Sequence, residues 1–198
     1  MLSSGKFVDH FTFFMGLDIV LGANNYAALQ QGNYDANSQD LSRTFCYLMG
    51  RRHEWEGAAE LDQIGRLTGV DITPLYEMDN YLPPEDLASM LAHADSEEEK
   101  QAIQQRANDN EAAIANNIER VAATVDALLA QLAQLDDLPS KLIPTIDDAL
   151  GNAYYFANFA QAGGNWMNNT FGQDLRNFKN FLDYAMSQGT TTVFFVYG

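Results

Sequence analysis

Apolar residues recur at three- and four-residue steps along most of the chain, which is the period of an amphipathic α-helix. Ser38 follows a stretch of turn-forming residues and is predicted to cap a second helix, which reaches about His53. A third, short helix is predicted to stop at Gly69, a residue suited to the left-handed position after a helix. The first helix is predicted to end near Gly32, with this apolar face: Phe7, Phe11, Phe14, Leu17 and Leu21.

The middle of the chain carries the longest helical pattern. Residues 71–82 are predicted to be irregular, and Pro83-Pro84 is predicted to start a helix, since proline is tolerated in a first turn. Ser96 and Glu99 have the spacing of a capping box, which opens one long helix over about 97–137. Its apolar residues alternate in steps of four and three, as in a heptad seam: Ile114, Ile118, Val121, Val125, Leu128, Leu132 and Leu135. The residues of the preceding helix that are expected to face the core are Leu87, Met90 and Leu91.

The C-terminal part predicts two more helices and an extended tail. Thr145 and Asp148 repeat the capping pattern for a helix that Gly163-Gly164 terminates. Its apolar residues are Ile146, Leu150, Ala153 and Ala157. Leu175, Phe178, Leu182 and Ala185 share a helical face, and the helix is predicted to end near Gly189. The tail, 190–197, is β-branched and aromatic, so a strand without an evident partner is predicted there. The expected fold is therefore all-α, a bundle of about six to seven helices with a short strand-like tail. Residues 1–198 are expected to form a single α-helical domain, and the alternative is a helical hairpin over 84–138 that projects from it.

Charge limits the partners that the protein can have. The chain holds 27 acidic and 11 basic side chains, a net charge of −16. This charge repels nucleic acid and anionic membranes and attracts basic protein surfaces, although many acidic proteins use charge only to stay in solution. Charged residues interrupt the apolar stretch over 1–23, so neither a signal peptide nor a membrane span is predicted. With Cys46 as the single cysteine, a cytoplasmic protein is expected.

Catalytic and metal-binding patterns are missing from the sequence. None of the three histidines follows a glutamate by three residues, so a carboxylate-bridged metal pair is not predicted. Cys46 lies among apolar residues on a predicted helix, which indicates a buried and inert thiol. The serines and glycines form neither a nucleophile elbow nor a phosphate-binding loop. We therefore expect no metal or cofactor, and a binding role is favoured over an enzymatic one.

Three functions are compatible with this pattern. The preferred hypothesis is an immunity-type inhibitor that neutralises a basic toxin or nucleic-acid enzyme. The second is a scaffold, chaperone or adaptor that self-associates through its heptad helix, as in a homodimer. The third is a metal-dependent enzyme that uses clustered carboxylates. The candidate partner-binding residues combine acids of that cluster with two tryptophans, since aromatic residues are common at interface centres: Glu54, Trp55, Glu56, Glu60, Asp62 and Trp166.

Overall fold

A computed structural model describes residues 19–30, 41–53, 58–145, 152–157, 159 and 169–197 of the protein. This part of the chain is mostly helical, as predicted, and contains a small antiparallel sheet made of β1 (Ile19–Ala23) and β2 (Val193–Tyr197). Short 3₁₀ helices lie at Arg51–His53 and Met78–Asn80. The α-helices are α1 (Tyr26–Gln30), α2 (Arg43–Gly50), α3 (Glu60–Thr68), α4 (Thr73–Glu77), α5 (Pro84–His93), α6 (Glu97–Ile114), α7 (Ile118–Leu132), α8 (Leu138–Lys141), α9 (Asn152–Tyr155) and α10 (Phe171–Ser187).

The C-terminal strand has a partner within the chain. β2 pairs with β1 so that Ile19 lies opposite Tyr197 and Ala23 lies opposite Val193. The strand predicted for the tail is therefore confirmed, and its partner, which the sequence did not reveal, is β1. The assignment of Leu21 to the first helix was wrong, because Leu21 lies in β1. Short apolar runs fit a strand or a helix equally well, and pairing with β2 decides between them here. The remainder of that predicted apolar face, from Phe7 to Leu17, lies outside the described residues.

Gly22 allows an aromatic ring to lie against β1. A Cβ atom at Gly22 would be 2.2 Å from Cε2 of Phe194, the residue opposite it in the sheet. The Phe194 ring stacks in turn on Tyr81, with 3.6 Å between the ring centroids and 13° between the planes. The missing side chain at position 22 therefore lets the sheet pack closely against the segment that precedes α5.

The predicted long helix over 97–137 is two helices. α6 ends at Ile114, α7 begins at Ile118, and Asn116 between them has a φ of 54°. Asparagine tolerates this left-handed conformation better than most residues. The side chain of Asn117 then accepts a hydrogen bond from the Val193 amide at 2.9 Å and donates one to the Val193 carbonyl at 2.8 Å. The break therefore places a side-chain amide against β2, where it bonds as a neighbouring strand would.

The predicted heptad seam lies in the core of this chain. α7 packs against α10, and its seam residues from Ile118 to Leu132 are buried. Aromatic rings from three elements meet beside this pair of helices: Phe45 of α2 lies 6.3 Å from Phe178 of α10 and 6.3 Å from Phe195 of β2, measured between centroids. The heptad pattern is therefore satisfied by a neighbouring helix of the same chain, and β2 contributes to the same core.

Several helix boundaries follow the predicted capping chemistry, and two do not. Gly69 ends α3 with a φ of 70°, and Gly189 follows α10 with a φ of 77°, as expected. The cap of α2 is Ser42, whose hydroxyl accepts a hydrogen bond from the Phe45 amide, and not Ser38, which lies outside the described residues. Residues 71–82 were predicted to be irregular, but 73–80 form α4 and a 3₁₀ helix. Pro74 and the Asp71 carboxylate, which accepts a hydrogen bond from the Thr73 amide, favour a helix start there.

Candidate protein-binding surface

α5 and α6 pack against each other as a helical hairpin, and local sequence explains where each of the two helices begins. Pro83 precedes α5 and Pro84 is its first residue, as predicted. At the start of α6, Ser96 accepts a hydrogen bond from the Glu99 amide at 3.1 Å. The Glu99 carboxylate in turn accepts one from the Asp95 amide at 2.7 Å, so the predicted cap is present in a slightly shifted form.

The hairpin contributes little to the core. The structure describes every residue of α5 and α6, and among them only Ile114, at the end of α6, is buried. Leu87, Met90 and Leu91 were predicted to face the core, but they are only half-buried. The prediction was wrong because α5 packs on α6 rather than on α7 or α10. Apolar side chains therefore remain partly accessible to solvent along this hairpin.

The hairpin also carries a concentrated negative charge. Its 31 residues hold eight acidic and two basic side chains, so more than a third of the net charge of the chain lies in about a sixth of its length. Lys100 is one of the two bases and pairs with Glu97 at 2.7 Å, in an exposed contact that contributes little stability. All eight acids are exposed: Glu85, Asp86, Asp95, Glu97, Glu98, Glu99, Asp109 and Glu111.

A short connection joins the hairpin to the sheet. Tyr81 lies just before α5 and stacks on Phe194 of β2, while α6 contacts the 3₁₀ helix Met78–Asn80. Partial burial raises the pKa of Tyr81, and the negative charges of Glu85 and Glu111 raise it further. The hairpin acids therefore lie close enough to its aromatic anchor to act on it electrostatically.

The sequence-predicted binding residues fall into different environments. Glu54, Trp55, Glu56 and Trp166 lie outside the described residues. Glu60 has 0% of its surface exposed. It therefore cannot meet a partner in this structure, and we leave it out of the candidate surface.

Glu60 instead forms a buried ion pair with Arg51, whose side chain is also almost fully buried. The Thr145 amide and hydroxyl donate further hydrogen bonds to the same carboxylate, at 3.1 and 2.9 Å. A buried pair of charges needs such additional donors to offset its desolvation. The position four residues before buried Ile64 could have revealed this role, because the two side chains share the inner face of α3.

Asp62 belongs to a polar cluster beside the C-terminal strand. It accepts a hydrogen bond from the Tyr76 hydroxyl at 3.0 Å, and its other carboxylate oxygen is buried without a hydrogen-bond partner among the described residues. The guanidinium carbon of Arg52 lies 4.4 Å from the Tyr76 ring centroid, while Nη1 of Arg52 donates to the Tyr76 carbonyl at 3.0 Å. Burial raises the pKa of Tyr76, and the Asp62 carboxylate raises it further.

Asp79 and Tyr197 extend this cluster to the end of β2. The Tyr197 hydroxyl donates a hydrogen bond to Oδ1 of Asp79. Burial raises the pKa of Asp79 from 3.8 to about 7, although the Tyr197 hydrogen bond and the positive charge of Arg52 oppose the rise. Neither residue has a sequence signal for this contact, since 118 positions separate them along the chain.

A second buried carboxyl, Asp174, organises the other end of the core. It has 0% of its surface exposed and accepts hydrogen bonds from the backbone and hydroxyl of Ser42, from the Tyr155 hydroxyl and from the Asn169 amide. Burial raises the pKa of Asp174, and these donors oppose that rise. Because both oxygens are satisfied, the arrangement joins α2, α9 and α10 and leaves no oxygen of this carboxyl available for a substrate.

Neither a metal-binding cluster nor a membrane-spanning helix is present among the described residues. Across them, no three His, Cys, Asp or Glu side chains converge in a way that would hold a metal ion. None of the described helices has the length and apolar content that a membrane crossing requires. Cys46 is buried, as predicted.

No protein-family model, curated protein or solved structure matches this chain.

Proposed function

We propose that the protein binds a basic protein through the acidic hairpin formed by α5 and α6, and so acts as an immunity-type neutraliser of a basic toxin or nucleic-acid enzyme. The observation that carries the proposal is that one set of helices builds the core and a different pair carries the exposed acids. The core is built by α2, α7, α10 and the sheet, whereas the hairpin holds exposed acids and only one buried residue.

Charge and apolar surface occur together on this hairpin, which supports binding to a protein. Leu87, Met90 and Leu91 are half-buried and lie within two helix turns of exposed Glu85 and Asp86. Protein interfaces commonly combine an apolar centre with a charged rim. A local net charge of −6 also speeds encounter with a positively charged surface at low salt.

The self-association alternative loses the surface on which it was based. Its heptad seam, from Ile118 to Leu132, is covered by other parts of the same chain. The enzyme alternative is also weakened, because Glu60 is held by Arg51 and Thr145, and Asp62 is bonded to Tyr76. The proposed place of action is the cytoplasm. The single, buried thiol of Cys46 supports this location, because reducing compartments keep thiols free of disulfides.

The test compares two variants that change the net charge equally. One carries Glu98→Lys and Glu111→Lys on the hairpin, and the control carries Asp136→Lys and Asp183→Lys, which are exposed acids outside it. The partner is first captured from the source cell by chemical cross-linking and identified by mass spectrometry. Association is then measured by surface plasmon resonance at about 50 mM and about 300 mM salt, where screening differs strongly.

The hairpin variant is expected to associate roughly tenfold more slowly than wild type at low salt, and the control less than about twofold more slowly. The difference should shrink at high salt because exposed charges are screened there. Equal slowing by the two variants would mean that only net charge matters. Unchanged rates for both, or a captured partner without a basic surface, would refute the proposal.

A further inference from the structure

Asp79 links the last described residue of β2 to a turn that is anchored in the core. Tyr197 donates a hydrogen bond from its hydroxyl to Oδ1 of Asp79, which is the central residue of the 3₁₀ helix Met78–Asn80. Met78 beside it is fully buried. This side-chain contact therefore connects the end of the strand to a turn that is anchored in the core.

The second oxygen of this carboxyl is poorly satisfied. Oδ2 of Asp79 is buried and has no hydrogen-bond partner among the described residues. An ionised carboxylate with one buried and unpaired oxygen is costly, whereas a proton on that oxygen removes the charge. The geometry therefore favours the neutral carboxyl while the contact with Tyr197 is closed.

The charged and titratable groups around the pair do not cancel this preference. Arg52 is the neighbouring cation, but its described hydrogen bond goes to the Tyr76 carbonyl and its guanidinium lies over the Tyr76 ring. Asp62, bonded to Tyr76, adds negative charge to the same cluster. Cys46 faces Tyr197 from α2.

More distant charges are accounted for by other contacts. On the α4 side, Glu77 forms an ion pair with Arg120 of α7 at 2.9 Å. On the hairpin side, Glu85 and Glu111 act on Tyr81. Burial is the largest influence on Asp79 and raises its pKa to about 7, which lies within the range that cells experience.

We propose that Asp79 and Tyr197 form a proton-dependent latch, in which protonated Asp79 holds the end of β2 on the 78–80 turn and ionised Asp79 releases it. The proton is exchanged with solvent, and no other reactant is involved. Because that turn also contacts α6, and Tyr81 next to it stacks on Phe194, release loosens the base of the hairpin. The latch does not depend on the proposed function of that hairpin.

Amide hydrogen exchange measured between pH 5.5 and 8.5 tests the latch. Rates are expressed as protection relative to an unstructured peptide at the same pH, and α7 serves as the internal reference. In wild type, protection of the β2 amides is expected to fall roughly tenfold more than that of α7 between about pH 6 and 8. Asp79→Asn, which is always neutral, should lose this pH dependence, whereas the control Asp136→Asn should retain it.

Two outcomes would overturn the latch: an equal fall in β2 and α7, or a fall that persists in Asp79→Asn. An independent measurement needs no variant, since the Asp79 carboxyl of the wild-type protein can be titrated by carbon-13 NMR. A midpoint near 7 supports the latch, and a midpoint near the ordinary value of about 4 rules it out. Tyr197→Phe, which lacks the donating hydroxyl, should show low β2 protection at every pH.

Discussion

Removing the Asp174 carboxyl is expected to destabilise the protein far more than removing an exposed acid of the same helix. Its oxygens accept hydrogen bonds from the Ser42 amide at 3.0 Å, the Ser42 hydroxyl at 2.6 Å, the Tyr155 hydroxyl at 2.7 Å and the Asn169 amide at 3.0 Å. Asp174→Ala leaves all four donors buried without this acceptor. At about 1 to 3 kcal/mol for each unsatisfied group, the loss is at least about 4 kcal/mol.

Asp174→Asn should cost much less, because it keeps the shape of the side chain. The amide oxygen can still accept from the Ser42 amide and from Asn169, while the Ser42 and Tyr155 hydroxyls can rotate to accept from the new amide group. What is lost is the extra strength of two bonds to a carboxyl oxygen, roughly 2 kcal/mol in total. Tyr155→Phe removes one of those donors and should cost about 1 to 2 kcal/mol.

Urea unfolding followed by far-ultraviolet circular dichroism gives these free energies of unfolding. Asp183→Asn is the matched control, since Asp183 also lies on α10 but its side chain is 51% exposed in its pair with Lys179. The control should change stability by less than about 0.5 kcal/mol. The reasoning would be refuted if Asp174→Ala cost no more than this control, or if Asp174→Asn cost as much as Asp174→Ala.

The remaining predictions concern the sheet and its contacts. Gly22→Ala should destabilise the protein by about 1 to 3 kcal/mol in the same urea assay, because its Cβ would lie 2.2 Å from the Phe194 ring. Asn117→Ala should cost about 1 to 3 kcal/mol and expose the Val193 amide to faster hydrogen exchange, since both hydrogen bonds to Val193 are lost. Because the pKa of Asp79 is raised from 3.8 to about 7, the folded state binds this proton more tightly than the unfolded state does. Wild-type stability should therefore fall relative to Asp79→Asn as pH rises from about 4 to 7, by at most about 4 kcal/mol, and a pH-independent difference would contradict this.

Helices with a sustained apolar period were predicted from the sequence because their pattern and their burial coincide. The seam from Ile118 to Leu132 and the face of α10 are buried as expected. Local chemistry was equally informative where the bonded groups are three or four residues apart, as at Ser96 and Glu99.

Features that depend on distant residues were not predicted. Residues 115–117 read as a continuation of a helix. The break is explained by hydrogen bonds from Asn116, Asn117 and Ile118 to residues 191–193. The pairing of β1 with β2 joins opposite ends of the sequence, so no local pattern could reveal it. Tertiary contacts overrode local propensity at both places.

The candidate binding residues were only partly predictable for a related reason. Sequence shows that acids are abundant, but not which of them face inward. Glutamate is usually found at protein surfaces, but Glu60 lies on the buried face of α3. Its partner Arg51 is nine residues away along the chain. The exposed acids of α5 and α6 were visible in the sequence, yet their separation from the core depends on where the helices pack.

Asn117, which lies between α6 and α7, also affects how molecules of this protein can associate. An open strand edge is a template on which another chain can add, and this is a common route to aggregation. At Val193 that template is already occupied, since the carboxamide of Asn117 bonds to both backbone groups that a foreign strand would need. Removing this side chain should therefore leave a protein that is less stable and also more prone to form intermolecular sheets.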